Sequence, residues 1–154
     1  YFDEDRSTES GRFVGANPFR VIDTRLSSPF PQPGCVGPAA ILRLTTTSTE
    51  VGGFVLNVTV TEPTAPGHLT VFPAPPPVPL ASNLNFVPGQ TVPNLVMVRV
   101  GEGGGMDFAN SAGCTHLVID VFGAFTNATV SPAALSASAV EHLADQLVMA
   151  AVDS

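Results

Sequence analysis

The stretch "GFVLNVTVT", residues 53–61, alternates in a strict two-residue period. Phe54, Leu56, Val58 and Val60 fall on one side, and Val55, Asn57, Thr59 and Thr61 on the other. Successive side chains of a β-strand point to opposite faces, so this pattern predicts a strand with one face on a core. The β-branched residues that fill it also disfavour a helix.

A second stretch, "THLVIDVFGAF" (115–125), repeats the pattern, with Leu117, Ile119 and Val121 opposite His116, Asp120 and Phe122. Shorter runs of the same kind are "FRVIDTR", "AAILRLT", "GHLTVFP", "LASNLNF" and "NLVMVRV". Between them stand "TAPG" (64–67), "PAPPPVP" (73–79), "VPGQTVP" (87–93) and "GEGGG" (101–105), the last read as a hairpin turn. Roughly seven or eight short strands at such spacing predict an all-β domain. Its expected form is an antiparallel sandwich or a barrel-like, jelly-roll-like variant. The 14 Gly and 15 Pro of the 154-residue chain serve as punctuation between apolar runs. With 44% hydrophobic and 12% charged residues, the composition is that of a packed domain rather than a disordered chain.

The expected organisation is an N-terminal arm over 1–17, a β-domain over 18–126, and a linker with a C-terminal helix over 127–154. The arm is polar and acidic (Asp3, Glu4, Asp5, Glu9). Asp3, Asp5 and Ser7 are spaced as in a calcium loop, but Thr8 and Val14 stand where that loop needs glycine and glutamate, so no metal is assigned. At the other end, Ser131 suits an N-cap and Pro132 the first helical position. Val140, Leu143, Leu147 and Ala151 then form a stripe at helical spacing. A helix from Ser131 to Val152, about 30 Å long, must dock either on its own β-domain or on a neighbouring subunit.

The formal net charge is −7, and all six cations are arginines. Lacking a basic cluster, the chain is a poor nucleic-acid or anionic-membrane binder. No apolar run reaches the roughly 18 residues of a membrane span, and the opening "YFDEDRSTES" is no signal segment. Cys35 and Cys114 have no second Cys or His at metal-ligand spacing, which leaves two buried thiols or a disulfide. The disulfide is expected; closing so long a loop is worth on the order of 4 kcal/mol in the chain-entropy model, and it implies an oxidising compartment.

Catalytic motifs are missing from the sequence: there is no Gly-x-Ser-x-Gly elbow, His-Glu-x-x-His pair or phosphate loop. His116 and Asp120 share a strand face but sit roughly 13 Å apart, too far for direct acid–base work. Asp23 and Asp120 are the carboxylates a glycosidase pair would draw on, at a separation the sequence does not set. In "RVIDTR", Asp23 and Arg25 share one face and Arg20 and Thr24 the other; internal Arg–Asp pairing is the favoured role. Asn57, Asn83, Asn85 and Asn94 sit among apolar residues, where unmatched amides are costly. They are read with Asp23, Arg25, His116 and Asp120 as a structural polar network tying turns to strands. A sugar face usually offers aromatic platforms, yet the chain has no Trp and one Tyr, Tyr1 in the arm. Carbohydrate binding would then fall to Asn, Asp and His68. The sequons at Asn57 and Asn127 matter only in a glycosylating host.

"RVIDTR", "VLNVTVTEPTAPGHLTVFP", "ASNLNFVPGQTVPNLV" and "NSAGCTHLVIDVFGAF" stand in the order and spacing of a known pattern. Over about residues 18–126 the chain resembles a β-domain family of secreted and surface-attached actinobacterial proteins, often found beside cell-wall hydrolases or in tandem arrays. The resemblance implies an extracellular, non-catalytic module without cofactor. Two features depart from it: the proline-rich "FPAPPPVPL" and the terminal helix. The expected function is a structural or assembly module of a surface layer, fibre, filament or virion appendage, with neighbouring subunits or further copies as partners. The alternative is a carbohydrate- or cell-wall-binding module.

Overall fold

The computed structural model describes residues 11–27, 29–30, 34–127 and 135–152. Nine strands order themselves as β1 (Phe13–Asp23), β2 (Ile41–Thr46), β3 (Val51–Thr61), β4 (Gly67–Pro73), β5 (Leu84–Phe86), β6 (Val92–Arg99), β7 (Gly105–Asn110), β8 (His116–Thr126) and β9 (Leu147–Val152), with one short helix, α1 (Ala137–Glu141). They form two sheets, a four-stranded one in the order β1-β8-β3-β6 and a five-stranded one in the order β5-β4-β7-β2-β9. Every pairing is antiparallel. The architecture is a sandwich, not a closed barrel.

The core lies where the alternation places it. Phe54, Leu56, Val58 and Val60 of β3, and Leu117, Ile119 and Val121 of β8, are completely buried. They face Leu42 and Leu44 of β2, Leu69 and Val71 of β4, and Met106 and Phe108 of β7, all in the same cluster. A β-bulge shifts the register where Val55 pairs with Gly123 and Leu56 with Val121, leaving Phe122 as the extra residue. The bulge resets the phase of β8 so that Ala124 also points inward and is fully buried.

Most connections cross from one sheet to the other. "GEGGG" is therefore no hairpin turn: it carries the chain from β6 in one sheet to β7 in the other through a short 3-10 turn at Glu102–Gly104. Gly104 takes φ +83° there, and a Cβ at this position would run into the Thr46 carbonyl, so the place suits glycine alone. The two cysteines form a disulfide, Cα–Cα 5.6 Å, across 79 residues of sequence. It sits beside the Val36–Thr115 bridge.

Both ends differ from the expected organisation. The arm was expected to run to residue 17, but β1 begins at Phe13 and pairs with Phe125; a long β8 offers the ladder that recruits these residues. The remainder of the arm, residues 1–10 with the calcium-like spacing, lies outside the described residues, as do Ser131 and Pro132. The long helix is a correction as well. α-Helix covers only Ala137–Glu141, capped by Ser136, whose hydroxyl accepts from the Ala139 N–H. A 3-10 turn follows at His142–Gln146, and Leu147–Val152 is strand β9, paired with β2. The Ala-rich spacing fits a helix locally, but the edge of β2 offers six residues a ladder and a place on the core, which outweighs propensity. Val140 and Leu143 are buried in the chain's own sandwich, so their stripe is closed to a neighbouring subunit. Leu147 turns its side chain onto the same core, while Ala151 lies on β9 opposite Leu42. Among the described residues, no helix is long and apolar enough to cross a membrane.

Candidate functional site

The polar residues come together at three places. The first is the outer face of the four-stranded sheet. A bulge between Arg20 and Ile22 sets Arg20 opposite Asp120 and Asp23 opposite Val118. Arg20 and Asp23 thus share the outer face, contrary to the simple alternation in "RVIDTR", because Val21 is the extra residue. Arg20 grips Asp120 with two bonds, 2.9 and 3.3 Å, and lies 3.8 Å from Asp23. Arg25 grips Asp23 with 2.8 and 2.6 Å bonds. The Arg25 guanidinium holds the Asp23 carboxyl below the ordinary carboxylate value, against the opposing effect of burial. A general acid needs the opposite shift, so Asp23 is poorly suited to that role.

Thr24 closes the end of β1. Its hydroxyl oxygen accepts the Leu117 N–H at 3.0 Å and lies 2.9 Å from Nδ1 of His116. Nε2 of His116 approaches Glu62 at 3.9 Å. His116 and Asp120 therefore have separate partners. Asn57 stands between Asp120 and Leu95 in the register, and its side chain makes no hydrogen bond to the described residues.

The second place is the rim joining β5 to β6. Asn83 Oδ1 accepts the Val71 N–H at 2.8 Å, and its own N–H donates to the Leu69 carbonyl at 2.9 Å. Asn94 Nδ2 donates to the Asn83 carbonyl at 2.6 Å. Since Asn94 belongs to one sheet and β5 to the other, this bond clasps the sandwich along one side. Asn85, by contrast, is exposed, and its side chain makes no hydrogen bond to the described residues.

The third place is the outer face of the five-stranded sheet. Arg43 binds Asp107 with 2.6 and 2.8 Å bonds, and the Asp107 side chain is entirely buried. Beside it, Ile41, Phe72 and Ala109 form a small apolar cluster with Val152. Residues 74–82 pass over this face, held where the Thr70 hydroxyl donates to the Ala81 carbonyl at 2.6 Å. Two grooves flank that loop. One of about 480 Å³ is lined by His68 and residues 78–82; one of about 300 Å³ lies between His68, Thr70, Val78 and Asn110. Asn110 is already engaged, its Nδ2 donating to the carbonyls of Val36, Gly37 and Gly113 at 2.9, 3.2 and 3.0 Å. The Ser111 hydroxyl accepts the His68 N–H. The grooves are left with largely apolar walls, one imidazole and the hydroxyls of Ser82 and Ser111.

Sequence reasoning missed Arg43–Asp107 and Asn110. Only the occurrence of an Asp amid apolar residues in "MDFAN" marked the first. Among the described residues, no buried side-chain nitrogen or oxygen lacks a partner, and no cluster of three or more His, Cys, Asp or Glu could hold a metal ion. No family model, curated protein or solved structure matches the chain.

Proposed function

We propose that this chain is a non-enzymatic extracellular β-sandwich that serves as a structural or assembly module of a surface layer, fibre, filament or virion appendage. One observation supports this reading above the others: many of the polar side chains among the described residues, buried and exposed, are spent on partners inside the fold. Arg20, Arg25 and Arg43 bind carboxylates, Asn83 and Asn94 clasp the sheets, and Asn110 secures the loops beside the disulfide. Such a molecule is built for rigidity. The disulfide suits an oxidising compartment, and the resemblance to the actinobacterial surface domain points the same way. Because Val140 and Leu143 are committed to the core, contacts with neighbours fall to exposed apolar positions such as Leu95, Met97 and Val148.

Negative-stain microscopy of the native material tests the reading, with ordered filaments, shells or appendages expected. Dispersed single particles would overturn it. The second reading, a cell-wall or carbohydrate module, draws on the groove beside His68. Co-sedimentation with peptidoglycan and common polysaccharides separates the two: the assembly reading expects the protein to stay in the supernatant.

A further inference from the structure

A β-sandwich has four sheet edges, and an edge strand is a template for another strand unless something blunts it. Three edges here are blunted. α1 packs along β1, where the Asn17 N–H also donates to Glu141. β5 is only three residues long. β6 contains Pro93, which has no N–H, and its Asn94 is drawn across to Asn83. Among the described residues, β9 has no such device. Its sequence, "LVMAAV", carries no charge, proline or glycine. It pairs with β2 along its whole length, and no described strand lies along its other side. Val148 is 58% exposed, as are Ala150 and Ala151 by class.

We propose that the open edge of β9 pairs antiparallel with β9 of a second copy of this chain, joining two five-stranded sheets across a two-fold axis. The inference rests on the assembly reading above and names its partner. β9 is self-complementary in that arrangement. With the axis at Ala150, Val148 meets the partner's Val152 on the outer face, and Met149 meets the partner's Ala151 on the core side. Val152 already belongs to the apolar cluster of Ile41, Phe72 and Ala109, so the joined sheets extend an existing apolar surface. The chain's own arm is a poorer occupant. Its Asp3, Glu4, Asp5 and Glu9 would lie along a strand whose entry already carries Asp145, in a chain of net charge −7. A two-fold contact closes on itself, so this contact by itself yields a dimer, the unit that the remaining exposed surfaces would join into a larger assembly.

Sedimentation velocity of the full chain over a wide concentration range tests this, together with three variants at an exposed position. The full chain should pass from monomer to dimer as concentration rises. Ala150→Lys brings two like charges face to face on the axis, and should weaken the dimer at least tenfold while the monomer stays folded by circular dichroism; Ala150→Gln, neutral beside Arg43, should weaken it less. Ala150→Cys should oxidise to a covalent dimer of twice the chain mass, with no higher species. A dimer indifferent to Ala150→Lys overturns the proposal. So does a full chain that remains monomeric over the whole range; protection of all the amides of 147–152 from hydrogen exchange would then show that the edge is covered within the chain. Larger particles that persist in Ala150→Lys would remove β9 as the contact and leave the assembly reading standing.

Discussion

Asn83 Oδ1 accepts the Val71 N–H at 2.8 Å, in the place where a longer β5 would have supplied a backbone carbonyl. The last register pair between β4 and β5 is Leu69 with Leu84, and Val71 lies two residues beyond it with its side chain buried. The amide thus continues a ladder that the chain itself has left. Asn83→Ala orphans that N–H and should destabilise the protein by about 1–3 kcal/mol. Asn85→Ala, at an exposed position two residues away, should change stability by less than about 0.5 kcal/mol. Urea titration of both variants is the measurement; equal effects would contradict the assignment.

Arg43 and Asp107 should respond asymmetrically. The Arg43 side chain is 27% exposed, whereas that of Asp107 has no exposure. Arg43→Met strands a buried carboxylate and should cost about 3 kcal/mol or more. Asp107→Asn keeps an acceptor, and the freed guanidinium reaches water, so its cost should be about 1–2 kcal/mol. Equilibrium unfolding of the pair of variants gives both numbers, and the order is the diagnostic feature.

Much of this was legible from residue pattern. The inward faces of β3 and β8 follow from strict alternation, and the disulfide from two cysteines without metal-ligand company. β7 was not, because Asp107 at its centre reads as a turn or surface residue until Arg43, 64 positions earlier, is placed beside it. The bulge at Val21 also leaves no mark in composition. It nevertheless decides that Arg20 reaches Asp120. β9 was hidden for a different reason: Val140, Leu143, Leu147 and Ala151 satisfy helical spacing, and only the edge of β2 turns the last six residues into a strand. Local pattern is reliable where core burial and periodicity agree, and silent where a distant partner settles the matter.

Acid should act through Asp23. Its carboxyl titrates below the ordinary value of 3.8, chiefly because Arg25 hydrogen-bonds it. The folded state therefore holds the ionised form at a pH where the unfolded chain already takes up a proton. The resulting stabilisation is complete above about pH 5, starts to fall as pH drops through the unfolded value, and is gone below the folded one. Asp23→Asn should lower stability at neutral pH by about 2 kcal/mol. The gap between variant and parent should close as pH falls below 3.8. Thermal melts of both proteins from neutrality to strong acid give the comparison, and a constant gap would assign the acid response to other carboxylates.

The disulfide carries the last expectation. It joins Cys35 to Cys114 over 79 residues, while the bonds from Asn110 to the carbonyls of Val36, Gly37 and Gly113 hold the same two loops. Reduction removes the restraint on the unfolded chain, worth about 4 kcal/mol in the loop-entropy picture, but leaves the Asn110 bonds in place. The reduced protein should therefore stay folded with a markedly lower unfolding midpoint. Adding Asn110→Ala should then lower the midpoint further, because the Gly113 carbonyl loses its side-chain donor and the Val36 and Gly37 carbonyls keep only their backbone donors, Thr115 and Ala40. In the oxidised protein the same substitution should be tolerated with a smaller loss of midpoint. Denaturation curves of the four species form a thermodynamic cycle whose coupling term reads the cooperation of amide and disulfide directly. A coupling of zero would show that the two fastenings act on separate parts of the fold.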